Sequence, residues 1–223
     1  MTAGHEGHGL ASISLTHVYF NPLDKISYAF AYITLAPIAI MVFYASVIVS
    51  RREMAGILML AGQFLNEALN YVLKENIEQD RPYGHLGDGY GMPSSHSQFI
   101  WYFAVYGSLY LYKYIQLDHA IWKILTCFAM FSLAILVSVS RIYLGYHTLN
   151  QVLIGSLVGA LFGLIWYNAT NLMHSYGIID YILDMTVCQK LYIRDMGMVN
   201  NVARFEYQQW SQLRQNQLNS KIK

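Results

Sequence analysis

Long apolar runs separated by short polar breaks dominate the chain, and their spacing predicts helices that cross a bilayer. A span needs about 20 mostly apolar residues, and five stretches qualify, at 28–49, 54–73, 97–116, 121–139 and 149–168. Polar residues gather in two of the connections, 74–96 and 140–148, while 50–53 and 117–120 read as short turns. The segment 176–199 carries Asp180, Asp184, Lys190, Arg194 and Asp195. That is too much charge for a span, and it predicts one amphipathic helix at the interface. The tail from about 200 onward is polar, and the first twenty or so residues read as a lumenal or interfacial segment without the basic-then-apolar order of a cleavable signal. The expected fold class is all-α, a polytopic bundle of about five transmembrane helices. Its expected divisions are an N-terminal segment over 1–27, a membrane domain over 28–168 and a C-terminal region over 169–223.

Composition agrees with that pattern. Hydrophobic residues make up 55% of the chain and charged residues 12%, against about a quarter charged in soluble domains. Tyr occurs 19 times, as suits a chain with many membrane–water boundaries. A net charge of +1 leaves no electrostatic footprint for nucleic acid. Cys127 lies in an apolar run and Cys188 in the C-terminal region, so no disulfide is expected.

Charge also sets a direction. Of the 14 Lys and Arg residues, only Lys25, Lys74, Arg81 and Arg141 fall on the side of the 74–96 and 140–148 connections. Arg51, Arg52, Lys113, Lys123, Lys190, Arg194, Arg204, Arg214, Lys221 and Lys223 fall on the other. The positive-inside rule places the second side in the cytosol and the two polar connections in a lumen or outside the cell. The one glycosylation sequon, Asn168-Ala-Thr170, falls at the cytosolic end of the fifth span.

Three clusters meet on the lumenal side: Lys74 with Arg81-Pro82, Pro93-Ser94-Ser95-His96, and Ser140-Arg141 with His147. Each stands where a span begins or ends, so folding can bring them together. Lys74, Arg81 and Arg141 supply fixed positive charge, and the Arg forks suit bidentate phosphate recognition. Ser94 and Ser95 open a helix, whose free N–H groups and dipole favour an anion. Together they imply a phosphoryl ligand, although basic residues at a membrane face can also grip lipid headgroups. Of the two histidines, one could attack the phosphorus while the other protonates the leaving oxygen. No metal-ligand spacing of Asp, Glu, His or Cys accompanies them, so no cofactor or metal is expected.

Lys-x6-Arg-Pro (Lys74 to Pro82), Pro-Ser-x-His (Pro93 to His96) and Ser-Arg-x5-His (Ser140 to His147) resemble, in order and spacing, the three-part signature of the type-2 phosphatidic acid phosphatase superfamily. The resemblance covers roughly 54–168. It implies that His147 is the nucleophile, forming a phosphohistidine, and that His96 is the general acid. It further implies that Lys74, Arg81 and Arg141 clamp the phosphate with Ser94 and Ser95 in the same cradle. Two positions depart from the pattern: Ser95 stands where Gly usually precedes the histidine, and Gln151 stands where an Asp usually follows the nucleophile by four residues. The Gln carbonyl can still accept a ring N–H one helical turn away, but without charge assistance. Gln151 within "SRIYLGYHTLNQVLIG" is similar to the dolichyl pyrophosphate phosphatase branch. That branch works on the lumenal face of the endoplasmic reticulum and returns dolichyl phosphate to protein N-glycosylation. A polyprenyl pyrophosphate substrate follows from the resemblance. Phosphatidic acid, a sphingoid-base phosphate or another prenyl pyrophosphate stays open, as does a lipid-binding scaffold without turnover, and the oligomeric state is not set.

Other features carry two readings each. Gln63, Asn66, Glu67 and Asn70 form a polar stripe leading to Lys74. Glu67 either supports the clamp or lines a pocket, and the stripe could equally be interhelical glue. Gly155, Gly159 and Gly163 suggest close helix packing, with a prenyl groove as the sharper alternative. Tyr102, Tyr106 and Tyr110 read as core, with contact to lipid chains as the alternative, and His85 sits in a Gly-rich loop that reads as flexible but could fold over the site. His5 and His8 read as part of a loose tail.

Overall fold

Helix breakers and inward-facing polar residues, as much as apolar runs, shape the bundle. The computed structural model describes residues 18–222 apart from 22, 85–88, 118, 198 and 200. His5, His8, His85 and most of the expected 1–27 segment lie outside the described residues. Among the described residues every regular element is a helix.

The expected first span is two helices, α1 (Lys25–Ile33) and α2 (Ala36–Arg51). Pro37 stands in the first turn of α2, where its missing N–H is harmless. Continued from α1, the same ring would remove a hydrogen bond and clash with a carbonyl one turn back. Asp24 caps α1, accepting from the Ile26 N–H at 2.9 Å. Then follow α3 (Met54–Ile77), α4 (Ser95–Tyr114), α5 (Ala120–Tyr143) and α6 (Leu149–Ser175).

Three segments are long and apolar enough to cross a membrane: Lys25–Arg51, Ala120–Tyr143 and Leu149–Ser175. The α3 and α4 helices, read from sequence as the second and third spans, are 24 and 20 residues long but less apolar. The reason is visible in their buried polar residues, Gln63, Asn66 and Asn70 on α3 and Ser97 and Gln98 on α4. Gln98 donates through Nε2 to the Asn66 carbonyl (2.8 Å) and to Asn66 Oδ1 (2.9 Å), while Asn70 Nδ2 donates to Gln98 Oε1 at 2.7 Å. The polar stripe is therefore mostly interhelical glue, although Gln63 Nε2 is buried without a hydrogen-bond partner among the described residues.

The central helix is α4, packed against α2, α3, α5 and α6. Gly155, Gly159 and Gly163 let α6 lie directly on its backbone. A Cβ at Gly155 would stand 2.6 Å from the Ser94 carbonyl oxygen, one at Gly159 would collide with the Gln98 carbonyl, and one at Gly163 would lie 3.2 Å from that of Tyr102. The glycines thus serve backbone contact, not a groove. Tyr102, Tyr106 and Tyr110 stack along α4, with ring centroids 5.7 and 6.5 Å apart. Tyr102 and Tyr106 are buried, as core packing requires. Outside, α5 presents Ile121, Trp122, Ile124, Phe128 and Ile135, an apolar exterior suited to lipid.

Beyond α6 the expected single amphipathic helix over 176–199 is instead α7 (Ile178–Leu183), α8 (Thr186–Lys190) and an extended strap. Gly177 starts α7 from a left-handed conformation, and Tyr192 turns left-handed beyond α8. The strap then pairs Arg194 with Glu53, the Met54 N–H donating to the Arg194 carbonyl at 2.9 Å. Long-range pairing overrides local helix preference here. The tail forms α9 (Val202–Ile222), whose Glu206 takes Arg51 at 2.8 Å and Arg194 at 3.2 Å.

Candidate active site

The antiparallel order of α3 to α6 brings the three clusters to one end of the bundle. Lys74 stands in the last turn of α3, which closes at Glu78 in a left-handed conformation. Arg81 follows on the loop, its Nε donating to the Gly89 carbonyl at 3.2 Å. Ser94 is the N-cap of α4, Arg141 lies in the last turn of α5, and His147 precedes Thr148, the N-cap of α6. Lys74, Arg81, Arg141 and His147 are all close enough to His96 to act on it electrostatically.

The α5–α6 connection is built to hold Arg141 and His147 together. Gly145 takes a positive φ of 77°, turning the chain so that the N–H groups of Tyr146 and His147 both donate to the Arg141 carbonyl, at 3.1 and 3.2 Å. The Arg141 side chain is buried. Its Nη1 donates to Thr34 Oγ1 at 2.8 Å, and its guanidinium lies over the Tyr146 ring, 3.9 Å from the centroid. Its Nε is buried and without a hydrogen-bond partner. A bare donor costs free energy unless something arrives to accept from it. The break between α1 and α2 thus has a use, because it places Thr34 against Arg141.

His147 is also buried, with Nδ1 3.1 Å from Gln151 Oε1. That oxygen can only accept, so the ring proton sits on Nδ1 and Nε2 keeps a lone pair. Burial, then the charges of Arg141 and Arg81, hold His147 down to about 3, with Lys74 adding and the Gln151 bond opposing. The imidazole is therefore neutral at ordinary pH. The consequence for stability has a definite sign. Unfolded, the ring takes up a proton below its ordinary 6.5; folded, it does so only near 3. His147 therefore stabilises the fold above pH 6.5 and loses that contribution as pH falls toward 3, with a slope of at most about 1.4 kcal/mol per pH unit. Thermal melts in detergent between about pH 7 and pH 4 are expected to show a falling midpoint, and a shallower fall in His147→Asn. Equal slopes would contradict this.

The two serines of the expected cradle have partners within the protein. Ser94 is buried, and its N–H is already committed to the Gln151 carbonyl at 3.1 Å. Its hydroxyl accepts from Ser97 Oγ at 3.2 Å, and Ser95 Oγ donates to Asn70 Oδ1 at 2.8 Å. The hydroxyl protons are therefore not both turned to a ligand, because the α3–α4 amide network claims Ser95. What α4 still offers is its first-turn N–H groups, which have no carbonyl one turn back.

Two cavities open on the two histidines. One, of about 410 Å³, is lined mainly by apolar side chains of α2, α3 and α4, and reaches Glu67, Ser95 and His96. The other, of about 470 Å³, is lined by Pro82, Tyr83, Ile142, Tyr143, Leu144, Gly145 and His147. Glu67 thus lines a pocket and is not part of the glue. Among the described residues no three His, Cys, Asp or Glu are grouped to hold a metal ion. Thr34, Tyr146, Gln79 and Asp80 are site residues that sequence reasoning missed. Only Tyr146, adjacent to His147, could have been flagged from its position.

Comparison with known proteins agrees with the geometry. Residues 55–173 match the PAP2 superfamily. The chain is 37% identical to human dolichyldiphosphatase 1 over 205 residues, covering 87% of this chain and 86% of that one. It is 31% identical to the Saccharomyces cerevisiae dolichyldiphosphatase over 218 residues, covering 93% and 91%. Among solved structures it resembles a transmembrane PAP2-type phosphatidylglycerolphosphate phosphatase from Bacillus subtilis, with a TM-score of 0.56 and 26% identity over 68% of this chain and 78% of that one.

Proposed function

We propose that this chain, which belongs to the PAP2 superfamily, hydrolyses dolichyl pyrophosphate to dolichyl phosphate and inorganic phosphate. The observation that carries the reading is the pairing of a buried Arg141 Nε without a partner with a neutral His147 held in one tautomer by Gln151. One awaits an anion and the other offers a lone pair to its phosphorus. The named activities of the human and yeast relatives point to the substrate, and the apolar cavity beside His96 has the character that a polyprenyl chain needs.

In the proposed reaction Lys74, Arg81 and Arg141 hold the terminal phosphoryl group and neutralise the charge that develops on its oxygens. His147 Nε2 attacks the phosphorus, an N–P bond forms, and the bond to the bridging oxygen breaks. His96 gives its proton to that oxygen as dolichyl phosphate leaves. The phosphorylated ring is cationic, and its Nδ1–H stays on Gln151 Oε1. Water then attacks the phosphorus, His96 takes the water's proton, and the N–P bond breaks to release phosphate. Ser94 and Ser95 shape the cradle through the start of α4, and Glu67 borders the leaving-group side.

Residues 28–168 would form the catalytic membrane domain, with five spans. The excess of Lys and Arg at the opposite end supports a lumenal active site and a cytosolic 169–223 region. In the endoplasmic reticulum that orientation returns the lipid carrier to protein N-glycosylation. The name of the Bacillus subtilis neighbour makes another lipid phosphate the second reading. Purified protein in detergent with EDTA, offered dolichyl pyrophosphate, dolichyl phosphate and phosphatidic acid in parallel, is expected to release phosphate from the pyrophosphate at least about tenfold faster. Preference for phosphatidic acid would overturn the substrate, and no release from any of them would overturn the activity.

A further inference from the structure

Gln151 does more than stand in for a carboxylate. Its side chain is fully buried, and all of its hydrogen-bonding capacity is engaged on two sides. Oε1 faces His147 Nδ1 at 3.1 Å and accepts from the Thr148 N–H at 3.2 Å. Nε2 donates to the Asp80 carbonyl at 2.8 Å and to Gln79 Oε1 at 3.4 Å. The second pair lies on the loop that carries Arg81, one bond away from Asp80. The backbone carbonyl of Gln151 takes the Ser94 N–H at 3.1 Å, so this one residue is bonded into or beside all three clusters.

The loop is shaped around that amide. The Gly91 N–H donates to the Gln79 carbonyl at 2.6 Å, folding the far limb of the loop back. A Cβ at Gly91 would stand 2.7 Å from Gln151 Nε2 and 3.0 Å from both the Asp80 carbonyl oxygen and Gln151 Oε1. Any side chain there would press on the junction. A carboxylate at 151 could accept from His147 but could not donate to Asp80 or Gln79. It would set negative charge against two oxygens instead.

We propose that Gln151 is a positioning residue whose amide locks the Arg81 loop onto the His147 loop, so that the phosphate clamp and the attacking nitrogen are held in fixed register. A neutral donor–acceptor is required at this place, and a carboxylate is a poor replacement. The inference rests on the phosphatase reading above and makes a claim separable from it.

The test compares wild type, Gln151→Glu and Gly91→Ala for kcat, KM and pH profile on dolichyl pyrophosphate, and for the thermal shift given by inorganic phosphate. Gln151→Glu keeps an acceptor for His147 but loses the donor. It is expected to raise KM about tenfold and weaken phosphate by a similar factor, with a smaller loss of kcat. Its negative charge beside His147 should also move the acidic limb of the profile upward. Gly91→Ala should raise KM without moving that limb, because it changes no charge. If KM and phosphate affinity stay within about twofold of wild type in both variants while His147→Ala is inactive, Gln151 serves His147 alone and the clamp is wrong. An inactive wild type would overturn the phosphatase reading. An unchanged phosphate shift in Gln151→Glu would overturn the clamp without reference to turnover.

Discussion

Replacing His147 with alanine is expected to lower phosphate release from dolichyl pyrophosphate by at least about 10⁴-fold, as removal of an attacking nucleophile does. One cavity opens on each histidine, and His147 is the member whose tautomer is fixed, by Gln151. His96 on the other side borders the apolar cavity, which suits contact with the leaving group. The variant should fold, because the His147 side chain makes one described hydrogen bond, to Gln151, worth about 1 kcal/mol. Retention of more than a tenth of the activity, in protein that melts like wild type, would contradict the role.

Arg141→Met is expected to remove activity and raise stability together. Arg141 is 4% exposed, and its guanidinium has one hydroxyl and one ring as partners, while Nε has none. None of the ion pairs among the described residues involves it. A buried cation of this kind is a cost to folding, which the proposed phosphate clamp would explain. Met fills much of the volume without the charge. Activity should fall about 10³-fold or more, while the unfolding free energy rises by roughly 1–3 kcal/mol. Added phosphate should stabilise wild type and leave the variant unchanged. A less stable Arg141→Met protein would mean that the residue serves the fold and not the ligand.

These two effects depend on geometry that the sequence discloses unevenly. The uninterrupted apolar runs of α5 and α6 are legible because lipid-facing helices need no partner to explain them. The three clusters are legible because each stands at a helix end, where spacing alone constrains the side chain. Thr34 is not legible: it lies 107 residues from Arg141, and only the packing of α1 on α5 brings them into contact. The α1–α2 break is hidden inside an apolar run, with Pro37 as its one local sign. The Asp80 carbonyl that receives Gln151, 71 residues away, is a backbone group and leaves no trace in composition. The same holds for the 191–197 strap, whose extended form is set by Glu53 and Met54 across the bundle.

The serine pair is the opposite case, conspicuous in sequence but engaged within the protein. Two serines at a helix start read as part of an anion cradle; Ser95 gives its proton to Asn70 and the Ser94 N–H belongs to Gln151, which leaves the other first-turn N–H groups for a ligand. Polar groups buried between helices need protein partners, so the polar stripe on α3 takes up donors that in water would be free for a ligand.

The central claim is that His147 carries the transferred phosphoryl group. The direct measurement is to quench a single turnover of dolichyl pyrophosphate labelled in its terminal phosphate and to map the label on the protein. An acid-labile, base-stable label on the peptide holding His147, absent when the inner phosphate carries the isotope, is the expected result. Full turnover with no covalent label, or a label on His96, would contradict it.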